Sequence, residues 1–395
     1  MARLWTINGD FVGLKPTGVP RYAREVTFAI DSLIGEGHPL TDDLVIEMVA
    51  PREPDGWALR NIPIKIVPEY NRPRLPQVWV QLQLPRHVRG GLLSFCNLAP
   101  VSVRRQIACI HDLHTFLRPE SYGRGFRLAH KLILPRLGRT ARFITTVSNL
   151  SRSHLIEHGV APADKIVVTY NGADHAAHWR PEASQLPIGD RPFVLCLGQN
   201  QDYKNMRLIW RIAPALDALG LDVHMAGAIG EDVLRSYGGE WPANLRRLGR
   251  VSDDDFAKVL RSALCFLFPS RIEGFGLPAI EAMINDCPVI AADAPCLPEI
   301  CGDAALYAGT DDDAGWIGNV AKLRADAPLR HALVAKGRVQ AKRYSWRSIA
   351  DIYLQLMARC DGLAAISPSP SRSRETAQPL SETDVGLAAV HPTPF

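Results

Sequence analysis

A chain of 395 residues, 47% hydrophobic and 22% charged, is long enough for two domains with a core each and too apolar to be disordered throughout. Its net charge of +4, spread without one dominant basic run, excludes nucleic acid as the expected partner. The opening residues Met1 to Gly9 are too few and too polar for a signal peptide, and no apolar run reaches the roughly 18 residues of a membrane span, so the expectation is a cytosolic protein.

The first expected strand, Leu4 to Ile7, runs into a loop holding Gly9, Gly13 and Gly18 before a helix from Pro20 to Leu33. The spacing is not Gly-x-Gly-x-x-Gly, so nothing places a dinucleotide there. Short apolar runs follow at Leu44–Ala50, Ile62–Val67, Leu92–Cys96 and Gln106–Ile110, separated by helical or proline-rich pieces such as Arg72–Pro85. Strands alternating with helices predict a mostly parallel sheet. The fifth strand ends at Ile110-His111-Asp112-Leu113-His114, and strand C-termini are where such sheets put their ligands. His-Asp-Leu-His has a possible metal reading, but a supporting cluster of carboxylates and histidines is missing, and His114 reads as a packing or surface residue.

Between Ser121 and Arg142 the sequence predicts a long basic helix, with Arg124, Arg127, Lys131, Arg136, Arg139 and Arg142 and no acidic residue. Projected at about 100° per residue, Arg124, Arg127, Lys131, Arg139 and Arg142 share one face while Phe126, Ile133 and Leu137 share the opposite one. Pro135 is expected to kink or divide this helix. The basic face is either merely solvated or a peripheral contact with anionic lipid of the inner membrane. Phe143–Val147 is the next strand, Ser148 caps a helix from Leu150 to His158, and Lys165–Val168 leads to the turn Tyr170-Asn171-Gly172-Ala173-Asp174.

Residues 176–192, with three prolines, read as a linker. A buried strand, Phe193–Gly198, then opens a second unit and feeds the loop Gln199 to Met206. Further strands are expected at Val223–Ala226, Leu245–Val251, Ala263–Phe268 and Val289–Ala292, with a helix Asp253–Arg261 behind the cap Ser252 and a last helix from Trp346 to Met357. Beyond Asp361 the chain turns to Ser, Pro, Thr and Ala, too poor in large apolar groups to fold.

The most informative stretch is Phe268-Pro269-Ser270-Arg271-Ile272-Glu273-Gly274-Phe275-Gly276-Leu277-Pro278-Ala279-Ile280-Glu281. Gly274, Gly276 and Pro278 stop the preceding strand, and Pro278 suits the first turn of a helix, where the amide it lacks would be unpaired. Gly276 and Leu277 therefore offer free N–H groups at a positive helix end, a cradle for a phosphate. Glu273 and Glu281, eight residues apart, would repel a phosphate and make sense as partners of hydroxyls on either side of it. A nucleoside diphosphate sugar has that layout.

Glu-Gly-Phe-Gly-Leu-Pro-x-x-Glu resembles the Glu-x7-Glu signature of the retaining nucleotide-sugar glycosyltransferases of family 4, and the likeness covers about residues 1–360. The resemblance implies an α/β chain of the GT-B fold, two facing Rossmann-like doubly wound parallel-sheet domains with an interdomain cleft. Applied to this sequence it gives an N-terminal acceptor-side domain over 1–175, a linker over 176–192, a nucleotide-sugar-binding domain over 193–345, a crossover helix over 346–360 and a disordered tail over 361–395.

The resemblance also implies roles. Glu273 would reach the donor sugar, Glu281 the ribose, and Gly274, Phe275, Gly276 and Leu277 the phosphates, while Lys204 would hold the diphosphate and the backbone near Val251 the base. On the first domain Gly18 and Ser148 would lie near the donor, His111 at the reaction centre and Arg21 on the acceptor side, although Arg21 also reads as an ordinary salt-bridged helix residue. Thr17-Gly18-Val19-x-Arg21-Tyr22 is similar to a version found in bacterial mannosyltransferases of surface polysaccharide synthesis, making GDP-mannose the expected donor and a lipid-linked glycan the expected acceptor. Family members often carry an arginine directly after the glycine of the first strand in the second domain; Gln199 stands here, leaving a second cation to Arg207 or Arg271.

No cofactor and no metal are expected. Asp253-Asp254-Asp255 opens a helix, Asp311-Asp312-Asp313 is a loop, and the eight cysteines read as reduced, mostly buried small hydrophobes. Two alternatives stay open, a nucleotide-sugar epimerase or hydrolase on the same fold and an inactive sugar-nucleotide-binding partner.

Overall fold

The computed structural model describes residues 2–15, 18–70 and 77–363. Thr17, part of the proline-rich Arg72–Pro85 piece and nearly all of the expected tail lie outside the described residues. Two parallel sheets organise the rest. The first contains β1 (Arg3–Asn8), β2 (Leu44–Ala50), β3 (Ile64–Ile66), β4 (Gly91–Ser94), β5 (Gln106–Cys109), β6 (Phe143–Thr146) and β7 (Ile166–Val168), in the order β3-β2-β1-β4-β5-β6-β7. The second contains β8 (Phe193–Gly198), β9 (Asp222–Gly227), β10 (Leu245–Gly249), β11 (Phe266–Phe268), β12 (Val289–Ala292) and β13 (Ala305–Ala308), in the order β10-β9-β8-β11-β12-β13. Neither order follows the chain. Each sheet is laid down outward from its first strand and then resumes on that strand's other side, so the winding reverses between β1 and β4 and again between β8 and β11. Such a reversal opens a crevice at the carboxyl ends of the two strands, because the loops on either side of it leave in opposite directions.

The helices cover the sheets by burying one stripe each. Helix Val19–Gly35 starts with Pro20 in its first turn and buries Tyr22, Val26, Ile30 and Leu33, residues spaced to share one face. Trp346–Cys360, the crossover helix, packs against it: the Tyr353 hydroxyl lies 3.0 Å from that of Tyr22 and 2.7 Å from Thr145 Oγ1 on β6. Asp361, placed by composition at the head of the tail, is instead tied to the first sheet. Its carboxylate accepts from Trp5 Nε1 at 3.1 Å, from Arg3 Nη1 at 3.5 Å and from Arg105.

The basic helix differs from expectation in two ways. Arg124–Thr140 is continuous through Pro135, which therefore does not divide it. The hydrogen bond that proline cannot donate leaves the carbonyl of Lys131 on the exposed side of the helix, where water can take it. The apolar residues also do not all turn inward. His130, Leu134, Leu137 and Gly138 are buried, while Phe126 (46% exposed), Leu128 (59%) and Leu132 (48%) stand outside among Arg124, Lys131, Arg136 and Arg139. Arg127 is half-buried and donates to the Pro119 carbonyl at 3.1 Å. Packing on β5 and β6 rotates the helix relative to the charge-based projection. No helix among the described residues is long and apolar enough to cross a membrane.

Candidate active site

The loop after β11 fills the reversal crevice of the second sheet. Gly276 sits at φ 97° as the N-cap of helix Leu277–Ile284, with Pro278 in the first turn and no side chain bonded to the free amides. A Cβ there would stand 2.8 Å from Leu297 Cδ2 and 3.2 Å from Phe268, so both the backbone angle and the space require glycine. The first amides of the helix are thereby presented without a competing side chain.

Across the crevice, the loop after β8 carries Lys204. Asn205 holds it in place: in a left-handed conformation (φ 57°), its Nδ2 donates to the carbonyls of Pro269 at 3.2 Å and Thr310 at 2.7 Å. A second tie between the loops is the Arg271 amide, which donates to Tyr203 O at 2.8 Å. Lys204 Nζ then donates to Glu273 Oε1 at 2.7 Å, both side chains being largely buried. With three N–H bonds on the ammonium and one taken by Glu273, two donor directions remain. Arg271 and Arg207, the candidates for a second cation, are engaged elsewhere: Arg271 Nη1 with Asp311 Oδ2 at 2.7 Å and Arg207 over the Tyr237 ring at 5.3 Å. Val251 is half-buried beyond the end of β10, beside the Ser252 cap of helix Asp253–Ser262.

The first domain closes the other side. Gly274 lies against it, so that a Cβ there would be 3.4 Å from the His111 carbonyl and from Asp112. The ring of His111 is turned away from that contact. Its Nε2–H donates to the Phe95 carbonyl at 2.8 Å, and the edge of the ring meets Tyr22 at 4.8 Å between centroids. His111 therefore lines the cleft with its backbone. His114, buried, stacks obliquely on Tyr203 of the opposite domain at 5.2 Å. Burial and the charge of Asp112 push the Tyr122 phenol up, and burial followed by Tyr122 does the same for Tyr203, so both hydroxyls stay protonated.

Gly18, at the start of helix Val19–Gly35, has φ 54°, and among the described residues nothing lies within 4 Å of where its Cβ would stand. Ser148 is fully buried and its Oγ accepts from the Ser151 amide at 3.0 Å, which makes it the cap the sequence predicts. Cys296 Sγ, near Ser148, donates to the carbonyls of Gly274 at 3.3 Å and Phe275 at 3.4 Å. Arg21 does not face open solvent. Its Nη2 bridges to Asp253 of the second domain at 2.7 Å, and Asp253 and Glu281 keep it charged in spite of burial.

Two further residues near the cleft come into view only in three dimensions. Glu299 reaches from the second domain to the first turn of helix Asn149–Glu157, accepting from the Asn149 amide at 2.8 Å and the Leu150 amide at 3.3 Å. A carboxylate at a helix N-terminus is favourably placed. His175 joins Glu281, Nε2 to Oε1 at 3.0 Å. Neither belongs to a spacing pattern, because each works on a residue far off in the chain.

Two reversal crevices facing each other across a cleft define the GT-B class of glycosyltransferases, and the chain superposes on HepE of Anabaena in complex with UDP-glucose with a TM-score of 0.64 at 16% identity, covering 90% of this chain and 99% of that one. Residues 180–340 match the family described as glycosyl transferases group 1. The chain is 30% identical over 266 residues to O-antigen chain mannosyltransferase B of Escherichia coli, covering 63% of this chain and 69% of that protein. It is 24% identical over 220 residues to O-antigen chain mannosyltransferase RfbU of Salmonella typhimurium, covering 54% of this chain and 59% of that protein. The chain belongs to the glycosyl transferases group 1 family. The comparisons favour a glycosyltransferase among the readings that the sequence left open.

Proposed function

We propose that the protein is a retaining family 4 enzyme that moves a mannosyl group from a nucleoside diphosphate sugar, GDP-mannose first, to a hydroxyl of a lipid-linked glycan in surface polysaccharide synthesis. The observation that carries this reading is the Lys204–Glu273 pair set beside the uncapped helix end at Gly276–Leu277, opposite the first domain. Negative charge grows on the diphosphate as the sugar leaves, and the ammonium and the helix amides stabilise it where it forms. Glu273 binds sugar hydroxyls, Glu281 the ribose, Gly274 and Phe275 frame the phosphate loop, and the backbone at Val251 meets the base. Gly18 and Ser148 border the donor from the first domain, with His111 at the reaction centre and Arg21 on the acceptor side. The diphosphate takes the acceptor proton, so no separate base is needed, and no divalent cation is required because Lys204 and the helix supply the positive charge. The names of the two O-antigen relatives support the choice of mannose and of a polysaccharide acceptor. The exposed leucines and arginines of helix Arg124–Thr140 support a peripheral seat on the cytoplasmic face of an anionic membrane, where such an acceptor is carried.

The test is a panel of nucleotide sugars offered with and without a lipid-linked glycan acceptor, read by NMR of the product. Turnover of a mannose donor that needs the acceptor, yields an α-linkage and survives EDTA supports the reading. A β-linked product removes the retaining assignment, and dependence on Mg²⁺ removes the metal-free one.

A further inference from the structure

His175 lies in the short helical turn Asp174–His178, where the chain leaves the first domain, and its side chain is 6% exposed. Both ring nitrogens are bonded, and the chemistry of the partners decides the tautomer. Trp346 Nε1, 3.0 Å from His175 Nδ1, is a donor and nothing else, so Nδ1 must be the acceptor. Nε2 then carries the proton and donates it to Glu281 Oε1 at 3.0 Å. The imidazole is neutral, wedged between an indole and a carboxylate. Trp346 is itself tightly packed: the Gly172 backbone lies so close that a Cβ there would be 2.5 Å from the indole. Glu281 has only one protein hydrogen bond to its carboxylate among the described residues, the one from His175, which leaves Oε2 to accept from a ligand. The nearby alternative for the carboxylate is the guanidinium of Arg21, whose charge it feels but whose hydrogen bonds go to Asp253.

We propose that His175, locked as its Nε2–H tautomer by Trp346, is a positioning residue that aims Glu281 Oε2 at the ribose hydroxyls of the donor nucleotide, and so sets the preference for ribonucleotides. The inference rests on the donor reading above. Without the imidazole the carboxylate turns toward Arg21 and the diol loses its acceptor, a loss felt equally by bound substrate and transition state.

Calorimetric affinities of GDP, UDP and their 2′,3′-dideoxy forms, measured on the full chain, test it. In the wild type the ribonucleotide binds at least about tenfold more tightly than its dideoxy form, the discrimination expected when a buried acceptor loses its partner. His175→Leu brings the two together by weakening the ribonucleotide alone, and raises KM for the nucleotide sugar with kcat within about twofold. His175→Gln, whose amide N–H still reaches Glu281, recovers most of the preference. Trp346→Phe removes the bond that holds the Nδ1 side of the ring, so the ring can turn away from Glu281, and lowers the preference several-fold, an outcome that a purely structural role of His175 does not give. A wild type with no ribose preference overturns both this inference and the ribose role of Glu281. A wild-type preference that persists in His175→Leu and in Trp346→Phe overturns this inference alone. If His175→Leu does not fold, His175→Gln and Trp346→Phe decide between these outcomes.

Discussion

At the scale of single residues, two ionisable groups carry distinct expectations. Lys204 is already turned into the site by Asn205 and paired with Glu273, so replacing it should leave the loop in place and remove charge stabilisation. Lys204→Ala should lower kcat by several kcal/mol of transition-state stabilisation, with nucleotide affinity changing less. Turnover within about threefold of wild type would remove Lys204 from the chemistry. Asp10 is the other. In the loop after β1 its carboxyl is pushed up from 3.8 to about 7 by burial, partly countered by Asn8 and Cys96, and its Oδ1 is enclosed without a partner among the described residues. Below about pH 4 neither folded nor unfolded chain ionises this group. As pH rises to 7 the unfolded chain sheds a proton that the folded chain keeps, so stability falls, by about 4 kcal/mol at most at ~1.4 kcal/mol per pH unit. Asp10→Asn, which cannot ionise, should therefore raise the unfolding midpoint at about pH 8 and leave it unchanged near pH 4. An equal gain at both would assign the effect to packing.

Among the elements, helix Arg124–Thr140 combines two attractions that respond to different variables. Arginines and lysine near anionic lipid contribute about 1 kcal/mol each and weaken with salt, whereas Leu128 and Leu132 gain by leaving water and do not. Sedimentation with phosphatidylserine vesicles should show binding that Arg124→Gln, Lys131→Gln and Arg136→Gln together abolish at low salt. Leu128→Asn with Leu132→Asn should remove the part that persists at high salt. Wild-type protein that stays in the supernatant at low salt would leave this face simply solvated. The strands were legible because a parallel sheet buries both faces of its strands, so that Phe193–Gly198 or Val289–Ala292 reads as an unbroken apolar run. Ala305–Ala308 escaped notice because it is short and buries fully only its two alanines, Leu306 and Tyr307 being half-buried. The faces of the basic helix were misjudged because charge pattern says where water is tolerated, while the neighbouring strands choose which stripe is buried.

For the molecule as a whole, the crossover helix and its terminal carboxylate fasten the end of the second domain to the first sheet. Arg3 is buried beside Asp361, so Asp361→Asn should leave its charge without a full counterion and destabilise by about 1–3 kcal/mol, seen as a lower thermal midpoint with unchanged nucleotide affinity. A midpoint within about a degree of wild type would mean that Arg3 is satisfied by Leu40 O and Asp43 alone. The motif of the site was readable because Glu273, Gly276, Pro278 and Glu281 are neighbours in sequence. His175, Asn205, Glu299 and the Arg21–Asp253 bridge were not, because their meaning lies in partners that only folding brings within reach.

The chain passes between the two domains twice, and the passages run side by side. The Ala173 amide donates to Tyr344 O at 3.0 Å, and Asp174 accepts from Ser345 Oγ at 3.1 Å and from the Trp346 amide at 3.0 Å. Two bodies joined along one short seam behave as a door on a single hinge line: they swing about it, and sliding or twisting would tear the seam. Groups next to the seam then travel least, among them His175, Glu281, Arg21 over Trp179 and Asn149 on Tyr170, and the rim of the cleft away from it, where His114 meets Tyr203, travels more. Spin labels placed across that rim should report a wide spread of distances in the free protein and a narrow one with nucleotide sugar bound, while a pair beside the seam should hardly change.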